Sequence, residues 1–240
     1  MYKKELRYYF STPIAYIVIG LFLLLISLFL WVIPGEWNII DSGYAQVDGL
    51  FQISPWLFLL LCPALTMRLF AEERQTGTWN VLRVKPVSLT RIVLGKWAAA
   101  WTIVVVALVP CLVHFFAVYA MAEPQGNVDS GAFFGSFFGL MLISLTYTAI
   151  GTFCSSLTKS QIVSFILGVC GCALFYYGFD LCSSLLSDGN AVNAISRIGG
   201  HSHYLSIARG VMDLRDVVYF IGVAAAFLAT TQLILSKRND

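Results

Sequence analysis

The sequence predicts an all-α membrane protein: six transmembrane helices with an N-terminal amphipathic interfacial helix and a short external helical segment before the last span. Three observations lead there. The chain is 58% hydrophobic and only 12% charged, far from the composition of a soluble domain. Its apolar residues gather into six runs free of Asp, Glu, Lys and Arg, at 11–35, 49–67, 97–122, 130–158, 160–179 and 217–236. About 20 such residues suffice to cross a hydrocarbon core of about 30 Å. Finally, the basic residues fall on one side. With the N-terminus inside, Lys3, Lys4, Arg7, Arg68, Arg74, Arg83, Lys85, Arg91, Lys96, Lys159, Lys237 and Arg238 are cytoplasmic, and Arg197, Arg209 and Arg215 are opposite. Reversing the chain would invert that bias, so both termini are expected in the cytoplasm.

These signals divide a single transmembrane domain, residues 1–240, into an interfacial helix at 1–12 and spans at 13–33, 51–69, 92–121, 131–153, 161–185 and 217–236. A cytoplasmic connector at 70–91 and an external segment at 187–216 complete it. At the N-terminus, Tyr2, Leu6, Tyr9 and Phe10 share one helical face and Lys3, Lys4 and Arg7 lie away from it, the pattern of a helix in the headgroup layer. The run at 11–35 is too long for the core of a signal peptide and lacks a small-x-small cleavage site, so it is expected to be retained as span 1. Span 2 contains Pro55 and Pro63 and is marked for a kink. The acidic external loops around Glu36, Asp41 and Asp48 and around Glu123 show neither metal-ligand spacing nor a nucleophile with a base.

Span 3 holds Pro110 and His114. A lone intramembrane histidine with no acidic partner in any span is expected to pair with backbone or a hydroxyl. The six cysteines lie within spans or at their ends, and Cys170-Gly171-Cys172 lacks the two-residue spacer of a redox or zinc pair; neither a disulfide nor a metal is expected. Gly168, Gly171 and Ala173 permit close helix approach in span 5, at a subunit seam or within the bundle.

Two polar stretches remain as candidate sites. In the external segment, Gly199-Gly200 precedes His201, His203, Ser206, Arg209, Gly210 and Asp213. A short helix is expected over 202–212, capping the bundle with Leu205, Ile207, Ala208 and Val211. The two histidines have no carboxylate at fixed spacing, so they make no metal site by themselves. In the connector, Phe70 to Leu82 is interrupted only by Gly77. A short helix there would present Glu72, Glu73 and Arg74 to the cytosol, set Trp79 and Leu82 against something apolar, and end at Pro86. A purely headgroup-level connector explains the basic residues and the tryptophan. It explains less well a glutamate pair beside an anionic surface.

The order of these features resembles the permease subunits of ABC-2 type transporters: a basic-aromatic first helix, a span, an acidic loop and a second span. Glu72-Glu73-Arg74, Gly77-Thr78, Leu82, Pro86, Ser88 and Gly95-Lys96 follow. The resemblance implies that Glu72, Glu73, Arg74, Gly77, Thr78, Trp79 and Leu82 form a coupling helix that docks on an ABC ATPase subunit. The stretch Ser206 to Phe220 (Ser-Ile-Ala-Arg-Gly-Val-Met-Asp-Leu-Arg-Asp-Val-Val-Tyr-Phe) is similar to the branch containing the gliding-motility-associated permease of Bacteroidetes and copper-processing permeases. It implies a bacterial inner-membrane location, a second permease copy or related permease, a larger auxiliary membrane subunit, and no nucleic-acid partner.

The chain has no Gly-x-x-x-x-Gly-Lys-Ser/Thr phosphate loop, since Gly95-Lys96 is followed by Trp97 and lacks the earlier glycine. It is therefore expected to be no enzyme and to bind no cofactor, with ATP and Mg²⁺ on the partner ATPase. A force-transmitting or assembly protein using the same ATPase contact is the alternative to an exporter. An intramembrane enzyme would need facing reactive groups, and the spans offer only His114, with Asp180 near an outer end.

Overall fold

The computed structural model describes residues 1–83, 87–124, 126–184, 198–210 and 213–237. Helix α1 (Tyr2–Ser11) ends where Thr12 turns extended, and Pro13, which has no N–H to lose, opens α2 (Pro13–Trp31). A one-turn helix α3 (Ile39–Ser42) follows, its first amides capped by the Asn38 side chain. Helix α4 (Asp48–Thr66) leads almost directly into α5 (Arg68–Gln75), then α6 (Thr78–Arg83). Span 3 is α7 (Leu89–Leu108), a 3₁₀ turn at Val109–Cys111 around Pro110, and α8 (Leu112–Met121). Helix α9 (Ser130–Leu157) is uninterrupted. Next come α10 (Gln161–Ala173), a π-helical turn at Leu174–Gly178, and α11 (Phe179–Ser184). Helix α12 (Gly200–Ala208) precedes the last span, α13 (Leu214–Lys237).

Six helical segments among the described residues are long and apolar enough to cross a membrane. Their burial ranks them: 78% of the most apolar window of α9 is inside the protein and 67% of that in α4–α5, against 22% for both α2 and α13. Helix α9 is thus the axis, and the outer helices keep apolar faces for lipid. Small residues let the inner helices touch. A methyl group at Gly151 would fall on Thr66 of α4, one at Gly168 on Pro63, and one at Gly171 on Ile150. Gly168 and Gly171 therefore serve packing within this bundle, one of the two roles open to them from sequence.

Span 2 shows how its prolines are tolerated. Pro55 removes the amide that would bond to the Phe51 carbonyl four residues back. The Tyr204 hydroxyl of α12 donates to that carbonyl at 2.6 Å instead, and α4 continues as one helix through both prolines. The orphaned carbonyl thereby becomes the anchor for α12, whose Tyr204 and Ile207 are fully buried.

The helix expected at 202–212 begins two residues earlier and stops at Ala208, because Gly210 takes φ +81° with its α-carbon side against Ala132. Its buried side is Tyr204 and Ile207, while Leu205 is exposed; Val211, like residues 185–197 of the external segment, lies outside the described residues. Among the described residues, the partner of His114 is an indole and not the backbone or hydroxyl group expected from sequence. His114 accepts the indole N–H of Trp31 on Nδ1 at 2.9 Å, which fixes its remaining proton on Nε2 because tryptophan only donates.

Candidate functional site

The connector starts from an interruption of the helix at Met67, between α4 and α5, that α9 bridges. Where α4 passes into α5, the Ser155 hydroxyl accepts the amides of Phe70 (3.0 Å) and Ala71 (3.2 Å) and donates to the Met67 carbonyl (3.0 Å). Those amides are the first-turn donors that a helix leaves unmatched. Arg74 donates to the Ser156 carbonyl at 2.6 Å, so the end of α9 holds α5 at two points. Leu69, Phe70 and Ala71 are buried.

The single helix expected across 70–82 is instead two. Gly77 takes φ +75°, a left-handed conformation that glycine adopts without strain, and separates α5 from α6. Around the turn, the hydroxyls of Thr76 and Thr78 bond each other at 2.9 Å and Thr76 donates to the Glu72 carbonyl. Thr76, Gly77 and Thr78 are exposed. Trp79 and Leu82 are buried, as their placement against an apolar surface requires, and Trp79 meets Phe70 edge-on at 5.7 Å between ring centroids. Pro86, expected to end the helix, lies outside the described residues.

The charged triplet does not simply face solvent. Glu72 forms a two-point ion pair with Arg68, at 2.7 and 3.0 Å, and the same guanidinium donates to the Tyr8 hydroxyl of α1 at 2.7 Å. Glu73 turns inward to Lys96 of α7. The Lys96 ammonium, on a side chain 2% exposed, lies 2.8 Å from Glu73 and 3.1 Å from Glu5 of α1. It also sits over the Phe70 ring, 5.7 Å from the centroid. The second Glu73 oxygen is buried without a hydrogen-bond partner among the described residues. One lysine thus joins α1, α5 and α7.

Helix α1 is oriented by these contacts. Its buried residues are Glu5 and Tyr9, while Lys3, Lys4, Arg7 and Phe10 are exposed. The aromatic stripe expected from sequence is therefore divided: Tyr9 is buried, Phe10 is exposed, and Tyr2, also exposed, bonds the Thr102 hydroxyl of α7 at 3.0 Å. Tyr9 donates to the Leu65 carbonyl at 2.6 Å, and burial holds its phenol far above the usual range, so it stays a neutral donor. Met1 and Tyr2 rest on Gly95, where a side chain would meet them. A cleft of 310 Å³ remains between α1 and α5, with Lys4, Tyr8, Arg68 and Glu72 on its walls.

The other predicted group lies at the opposite end of α9. Ser136, which donates to the Ala208 carbonyl, is about 28 Å along the helix from Ser155 at a rise of about 1.5 Å per residue. There each histidine has a carboxylate that sequence spacing did not reveal. His201 pairs with Asp180 of α11, and His203 Nδ1 lies 2.6 Å from Asp216 of α13 while its ring stacks on Tyr219. The pairs tie α12 to two other elements. No group of three or more His, Cys, Asp or Glu residues among those described is placed to hold a metal. Asp213 accepts the Arg215 amide at the start of α13. Ser206 is half-buried, and Arg209 lines a separate cleft of 430 Å³ with Asp48 and Asp129.

The two candidate groups are therefore separate, and only the first combines an exposed turn with an anchored, charged base. The profile of the ABC-2 family transporter proteins matches residues 38–198. No curated protein matches the chain. The matched region runs from the capped turn of α3 through the anchored hairpin and the axial helix and past α11 to residue 198, well over half the sequence, and the chain belongs to the ABC-2 family of transporter proteins.

Proposed function

We propose that the α5–α6 hairpin is the surface on which an ABC ATPase acts. As an ABC-2 permease the chain is the membrane domain of a transporter and is non-catalytic; ATP is hydrolysed in a partner subunit. The observation that carries the proposal is the contrast within the hairpin: its Thr76-Gly77-Thr78 tip is exposed, while its base is bound to α9 by Ser155 and Arg74 and to α7 by Lys96. A force applied at such a tip reaches the axial helix instead of dissipating in a loose loop.

The hairpin and α1 lie on the cytoplasmic side, with α1 in the headgroup layer; the excess of basic residues there supports this orientation. The chain works with a second permease copy or a related permease. The resemblance of the Ser206 to Phe220 stretch supports a gliding-motility-type complex with a larger auxiliary membrane subunit.

The test is co-purification in detergent with the ATPase encoded beside this chain. Replacing the exposed tip residues by Thr76→Arg and Thr78→Arg is expected to weaken binding at least about tenfold, the loss of one modest interface hot spot. Wild-type affinity in that double variant would remove the hairpin from the interface.

A further inference from the structure

A lysine ammonium taken out of water between two carboxylates is a costly arrangement that adds little to stability and is better suited to fixing one particular register. Lys96 is such a group, and its two partners come from different elements: Glu5 from α1, at 3.1 Å, and Glu73 from α5, at 2.8 Å. Only Glu73 belongs to the hairpin. The Glu5 contact contributes nothing to the hairpin's own anchoring, which Ser155 and Arg74 already supply. A second bridge repeats the connection, because Arg68 of α5 holds Glu72 and the Tyr8 hydroxyl together.

We infer that Lys96 is a positioning residue for coupling: through Glu5 it makes α1 a moving part of the ATPase-driven unit, so that a displacement of the hairpin is delivered to α1 and, across Thr12-Pro13, to the start of α2. This rests on the reading of the α5–α6 hairpin as the ATPase contact. Helix α1 on this account is a lever held in register by charge. A helix merely resting in the headgroup layer would need no buried glutamate.

Glu5→Met separates the two roles. It cuts the buried link from Lys96 to α1, with the more exposed Arg68–Tyr8 contact left in place, and keeps Lys96 paired with Glu73, so no buried charge is abandoned and the hairpin keeps its base. In the complex with the neighbouring ATPase, the expected result is normal co-purification with a five- to tenfold fall in the permease-dependent stimulation of ATP hydrolysis, roughly the low end of coupling between sites. Spin labels at Lys3 and Gln75, both exposed, give the second readout. In the otherwise unaltered chain their separation is expected to be the same with and without vanadate-trapped nucleotide, and in Glu5→Met it is expected to change on trapping. Lys96→Arg, which retains both pairings, is expected to behave as wild type in both assays. Unaltered stimulation together with an unaltered label separation in Glu5→Met would overturn the inference. Failure of the wild-type chain to bind the ATPase would instead defeat the underlying reading of the hairpin.

Discussion

Lys96→Met is expected to destabilise the folded chain by about 3–5 kcal/mol, the usual cost of removing one partner from a buried ion pair. The side chain is 2% exposed, so little solvent remains to screen the two glutamates it leaves behind. Glu73 has a second oxygen already buried without a partner among the described residues, which adds to the charge left uncompensated. Methionine matches the length of the lysine stem, so packing against Phe70 persists and the loss reports charge. Thermal unfolding in detergent measures it. A midpoint equal to that of wild type would mean that water reaches the triad.

Ser155→Ala is expected to cost about 1–3 kcal/mol for each stranded amide, because one hydroxyl serves both Phe70 and Ala71 and stands as their acceptor among the described residues. The methyl group fills part of the space and satisfies neither donor. The effect should be concentrated at the hairpin: amide exchange in α5 is expected to accelerate more than exchange in the middle of α9, as when a local unit opens without global unfolding. Uniform acceleration across both helices would show that Ser155 supports the bundle at large.

The fold was legible because its main signal is long-range in composition and local in sequence. Six uncharged runs, each bounded by polar residues, need no tertiary information to be read as spans. The helix break at Gly77 is visible as a glycine, but nothing local shows that the chain must turn back there to bury Trp79. What sequence concealed are contacts whose partners come from distant elements. Lys96 near the start of a span reads as a snorkelling headgroup anchor; its partner Glu5 is 91 residues away. His201 and His203 lack carboxylates at helical spacing because Asp180 and Asp216 come from the preceding and following spans. The prolines of α4 suggested a kink, yet the carbonyl freed by Pro55 is claimed by Tyr204, 153 residues from Phe51. In each case the residue was conspicuous and the complement was invisible. The candidate coupling residues fall together on α5 and α6, while the inward turn of Glu73 to Lys96 depends on a partner that lies outside the segment.

The account stands most directly on where an ATPase touches this chain. A photo-crosslinking side chain placed at Thr78, on the exposed hairpin tip, and in a separate variant at Arg209, on the opposite end of α9, locates that contact. Irradiation of the complex is expected to give a covalent adduct with the ATPase from Thr78 and none from Arg209. An adduct from Arg209 with none from Thr78 would place the partner at the α12 end and contradict the central claim.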